Sequence, residues 1–110
     1  MILRDQGGDA PQVQSNMMRQ LNYTDNLMLA IVDFDGGPWA EAMPLHQHPH
    51  EQVTYIAAGR VVFSVEGQED VELEAGDSIS VPANAMHTVK LLTETARLID
   101  AFTPIREDFL

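Results

Sequence analysis

The sequence predicts an all-β fold, a compact antiparallel barrel or sandwich in a single domain, on three observations. Short apolar runs recur between Gly, Pro, Asn and Asp; almost no stretch carries helical periodicity; and the breaks between runs are mostly one to three residues long. Strands are expected at 16–23, 26–34, 51–58, 60–67, 69–75, 77–83, 87–92 and 95–103. Thr24-Asp25-Asn26, Gly59, Glu66-Gly67-Gln68 and Thr93-Glu94 read as tight hairpin connections, and connections that short imply antiparallel neighbours. Val71, Leu73, Ile79 and Val81 alternate with Glu72, Glu74, Ser78 and Ser80, as strands with one wet face do. Residues 35–44 form the one long irregular loop, expected at the rim of the barrel just before the first histidine.

Length and charge bound what such a domain does. With 110 residues there is room for one core and no second domain, burying ~60–70% of the unfolded surface. Seventeen acidic against six basic residues give a formal net charge of −11, which argues against nucleic acid or an anionic membrane as a partner. The absence of Cys excludes disulfides and thiolate metal sites. The apolar run 27–32 is too short to span a bilayer and the N-terminus lacks a signal-like apolar stretch, so a cytoplasmic location is expected.

Chemistry concentrates in two segments. PLHQHPHEQVTYIAAG (44–59) supplies His46, His48 and Gln52, and AGDSISVPANAMHTVKL (75–91) supplies His87. Positions 46, 48 and 52 share a parity, so on one continuous strand their side chains point the same way. Three imidazoles and an amide oxygen make a ligand set for a divalent transition metal with coordination positions left open, suited to Ni, Zn, Fe, Mn or Co. His50 shares the parity but falls in an expected bend, where a solvated role is the ordinary one.

The two segments read H-x-H-x-x-x-Q-x-x-x-x-x-x-G and G-x-x-x-x-x-P-x-N-x-x-H, and together they resemble the paired motifs of the cupins, small jelly-roll barrels. Gln52 stands where many cupins carry Glu, Asn84 where many carry Gly, and Leu91 where the motif often ends in Asn. Asn tolerates a left-handed turn, which makes the second departure mild. The first is more informative, since neutral Gln52 leaves a divalent centre at +2, a stronger electrophile for an anion.

The tail LIDAFTPIREDFL (98–110) places Asp100 and Phe102 on one strand face, with Arg106 beyond a Pro104 turn that can return it to the barrel mouth. This tail, with HPHEQ, resembles the KdgF-type pectin-degradation cupins. That resemblance implies a metal-dependent opening of 4,5-unsaturated uronate monosaccharides to linear 5-keto-4-deoxyuronate, with Asp100, Phe102 and Arg106 as the catalytic trio. Arg106 then binds the carboxylate of a small anionic sugar, Phe102 packs on its ring and Asp100 moves protons. The ordinary alternatives are a core role for Phe102, a surface charge for Arg106 and a structural pair of Asp100 with Arg97 or Arg106. Trp39 and Met43 are candidates for the entrance or a dimer contact, Met86 for core filling, and Arg19 and Arg60 are cations that no spacing selects. Two other functions fit a three-His barrel: a dioxygenase and a non-catalytic sugar or metal sensor. Exposed sheet edges in so small a barrel favour a homodimer.

Overall fold

The computed structural model describes all residues from Met1 to Leu110. Nine strands run β1 (Gln12–Gln14), β2 (Met17–Tyr23), β3 (Met28–Phe34), β4 (Glu51–Ala58), β5 (Arg60–Val65), β6 (Val71–Glu74), β7 (Ser78–Val81), β8 (His87–Leu91) and β9 (Ala96–Thr103), with single 3-10 turns at Gly7–Asp9 and Glu107–Phe109. All pairings are antiparallel, in one sheet ordered β1-β2-β3-β9-β4-β7 and a second ordered β6-β5-β8. This is a jelly-roll, and the eight expected strands are all present. β1 is additional. No helix is long and apolar enough to cross a membrane.

Period-two burial builds the interior. Met28, Ala30, Val32 and Phe34 of β3, Ile56 of β4, Val61 and Phe63 of β5, Leu91 of β8 and Leu98 and Phe102 of β9 form one apolar cluster between the sheets. Register then positions the inward polar residues. Phe102 sits between Met28 and Gln52, and Asp100 between Ala30 and Thr54, in adjacent rows of the large sheet.

Three expectations are corrected. Gly59 and Thr93-Glu94 are not hairpins, because β4 and β9 lie in the large sheet whereas β5 and β8 lie in the small one. A single residue is too short to reverse a chain, whose tightest common hairpin loop has two. Gly59 instead turns a corner at φ +81, with a bulge before it between Ile56 and Ala58. A Cβ there would lie 2.4 Å from the Thr95 carbonyl oxygen, so the two corners stack directly on each other.

Residues 35–44 do not form a free rim either. The N–H groups of Gly37, Trp39, Met43 and His46 donate to the carbonyls of Glu94, Leu91, Val89 and His87, laying this segment along the edge of β8. Backbone groups beside a sheet edge pair with it when geometry allows, and that pairing outweighs the turn-like composition. Trp39 packs edge-on against Phe34, 5.2 Å between centroids, and donates its Nε1–H to the Asp35 carbonyl. Met86, expected in the core, is half-buried and outside the apolar cluster. Its N–H donates to the Glu66 carboxylate, which holds it at the barrel end.

Candidate metal centre

The first motif is not one continuous strand. β4 begins at Glu51, and residues 49 and 50 bend, so shared parity does not aim His46 and His48. Backbone pairing does it instead. His46 and His87 exchange both N–H···O=C bonds as an isolated bridge, and the Asn84 N–H donates to the His48 carbonyl. Asn84 takes φ +66 in this turn, the conformation its short polar side chain tolerates. The result brings donor nitrogens of His46, His48 and His87 within 4.8 Å of one another. Gln52, second residue of β4, sets its Oε1 beside His48 in this group.

Tautomers are set by the main chain. Nδ1–H of His48 donates to the His50 carbonyl at 3.0 Å, and Nδ1–H of His87 to the Ala85 carbonyl at 2.9 Å. A neutral imidazole has one N–H, so both Nε2 atoms are left as lone pairs. Nε2 of His87 is buried with no hydrogen-bond partner. His48 Nε2 faces Gln52 Oε1 at 3.0 Å, two acceptors with no hydrogen between them unless the ring is an imidazolium. Burial, followed by the charge of Arg106, pushes His48 down to about 4, which disfavours that cation. His46 and His87 are also lowered, chiefly by burial. Converging lone pairs that repel one another fit a divalent cation, which turns each repulsion into a bond. His50 stays outside the group, contributing its carbonyl to His48.

A cavity of about 420 Å³ opens from this group and is walled by Asp100, Phe102, Arg106, Arg19, Met43 and Phe109. Asp100 is raised to about 6, by burial first and against the Thr54 hydrogen bond and the Arg106 and Arg19 charges. It makes no ion pair. Arg97, the alternative partner, points to the other face of β9 and holds Asp33 at 2.8 Å. Arg106 returns over the mouth, its guanidinium carbon 5.3 Å from the Phe102 ring centre and 4.0 Å from that of Phe109. Its Nε and one Nη2 hydrogen grip Asp108, at 3.3 and 2.7 Å, which lowers Asp108 and leaves the Nη1–Nη2 edge facing no carboxylate.

Sequence reasoning missed Thr54 and Phe109 and left Arg19 unselected. Arg19 lies 3.4 Å over the Phe109 ring, and burial lowers its basicity. Its parity with Met17 and Leu21 on β2 was the available signal. Arg60 pairs with exposed Glu72 on the outer surface.

A cupin-domain profile matches residues 33–102, and the pectin degradation protein KdgF of Dickeya dadantii is 40% identical over 91 residues, 82% of this chain and 79% of that protein. The chain is a cupin of the KdgF type. Among solved structures, KdgF from a Halomonas species superposes on this cupin with TM-score 0.88 at 30% identity, covering 100% of both chains. An RmlC-like cupin from Shewanella frigidimarina gives 0.82 at 34% identity over 96% of this chain and 94% of its own. A 46-residue stretch is also 48% identical to acireductone dioxygenase of Bacillus thuringiensis, 38% of this chain and 27% of that protein.

Proposed function

We propose that this cupin is a metal-dependent enzyme that converts 4,5-unsaturated uronate monosaccharides, released by breakdown of pectin or alginate, to linear 5-keto-4-deoxyuronate. The observation that carries the reading is the convergence of the lone-pair group with Asp100, Phe102 and Arg106 on one cavity. Kinship with KdgF pectin degradation proteins supports it.

His46, His48, Gln52 and His87 would hold the metal, which supplies Lewis-acid polarisation of bound oxygens. The free edge of Arg106 binds the carboxylate bidentately, and the Phe102 face packs on the ring. Asp100 accepts the proton of the C1 hydroxyl as the C1–ring-oxygen bond breaks. C1 becomes an aldehyde and the ring oxygen leaves as the C5 enolate. Returning that proton to C4 converts the enolate to the C5 ketone, so the reaction is a net isomerisation with no water or oxidant consumed.

Incubation with lyase-generated unsaturated uronates tests this, with loss of alkene absorbance expected over a no-protein control. No acceleration with metal-replete protein discards the function. The acireductone dioxygenase match favours a second reading, oxygen activation; oxygen consumption by the iron-loaded protein would select it.

A further inference from the structure

We propose that Thr54 is a positioning residue that decides which end of the Gln52 amide faces the metal centre, an inference that rests on the metal-centre reading above. Thr54 follows Gln52 by two residues on the inward face of β4 and is completely buried. Its hydroxyl lies 2.6 Å from Oδ1 of Asp100 and 2.9 Å from Nε2 of Gln52. A hydroxyl has one hydrogen to give and a carboxylate has none. The contact with Asp100 therefore takes the Thr54 hydrogen, and the hydroxyl can only accept from Gln52.

Only the NH₂ end of an amide can donate, so Nε2 turns to Thr54 and Oε1 turns to His48. Without the hydroxyl this preference disappears. A half-turn of the amide would then offer an N–H to the His48 Nε2 lone pair, forming an ordinary hydrogen bond and blocking two donor atoms at once. A carboxylate ligand is symmetric and needs no such control; a carboxamide ligand does. The β4–β9 register places Thr54 directly opposite Asp100, so the sheet keeps the carboxylate that sets the direction of the relay within reach of the hydroxyl.

Thr54→Val removes the hydroxyl with little change of shape, and Thr54→Ser keeps it. Co²⁺ titrated into the metal-stripped full chain, followed by calorimetry and by its visible absorption, reads the effect. Thr54→Val is expected to bind Co²⁺ roughly 10- to 100-fold more weakly with an altered spectrum. Thr54→Ser should restore both, and Thr54→Val should cost nothing further in a Gln52→Ala background. Equal affinity and spectrum for Thr54→Val and wild type overturn the proposal, as does an undiminished loss in the Gln52→Ala background. Thr54→Ala carries the same expectation if the valine variant does not fold. Failure of the wild type to bind Co²⁺ overturns the metal-centre reading itself, and the role of Thr54 with it.

Discussion

Asp100 is held by the fold in a place where its charge is disfavoured, and that gives it opposite effects on stability and on chemistry. Its value of about 6 in the folded chain lies above the ordinary 3.8. Between those limits the folded state keeps a proton that the unfolded chain has lost, so stability falls as pH rises from 3.8 to about 6 and the loss is complete above. Asp100→Asn removes that cost while its amide oxygen can still accept from Thr54. Thermal melts at pH 7.5 are expected to show the variant more stable by ~1–2 kcal/mol, with no gain at pH 3.5. Turnover of unsaturated uronate should drop ~100-fold or more with metal content unchanged, and full activity in this variant would remove Asp100 from the mechanism. The wild-type kcat/KM should fall on the acid side of about pH 6, where the carboxylate is lost. Gln52→Glu should retain metal but raise KM, since a formal +2 centre becomes +1; an unchanged KM would refute the charge argument. Motif spacing singled out His46, His48, Gln52 and His87, although a backbone bridge and not shared strand parity gathers the histidines, and a charge inside an apolar strand singled out Asp100. Thr54 was not, because a threonine on the buried face of a strand looks like any β-former until register sets Asp100 opposite it.

At the scale of elements, corners matter more than strands. Alternation such as VVFSV or LAIVDF announces a strand whichever sheet it joins, which is why the eight main strands were legible. Sheet membership was not, because a one-residue break looks the same in a hairpin and in a strand that rolls from one sheet to the next. Gln12–Gln14 has too few residues to alternate and exists by pairing with β2. Gly59 and Gly76 separate two reasons for glycine at such corners. Both take positive φ, +81 and +99, but an added Cβ meets the Thr95 carbonyl and Ala96 at Gly59 and nothing within 4 Å at Gly76. Gly76→Ala should therefore cost only backbone strain, ~1–2 kcal/mol in urea unfolding. Gly59→Ala should cost more, because the Thr95 backbone must also move; equal losses would mean that corner stacking contributes nothing.

For the whole molecule, the site is a place where folding works against itself. Closing the barrel drives three imidazoles together with Gln52 Oε1 against one of them, leaves half-buried Asp100 without an ion pair and sets Arg19 and Arg106 against one aromatic ring, all within a chain of net charge −11. The apolar cluster between the sheets offsets these costs, as a stable scaffold must for a strained site. A ligand that binds only the folded state adds stability as RT ln(1 + [L]/Kd), ~2.7 kcal/mol at a hundredfold excess over Kd. A cation at the four donors also converts their mutual repulsion into bonds, so its effect on melting should follow the donors individually. Stripping metal with a chelator is expected to lower Tm, and readdition to restore it. His87→Ala should abolish the metal-dependent part of Tm without the full penalty of a core deletion, since it also removes the buried Nε2 that has no partner. The pH dependence has a definite sign: because burial lowers all three imidazoles, protons compete with the metal less than they do at ordinary histidines, and the metal-dependent gain in Tm should persist at pH 6. A gain that vanished by pH 6, or that survived His87→Ala, would place the cation somewhere other than these four side chains.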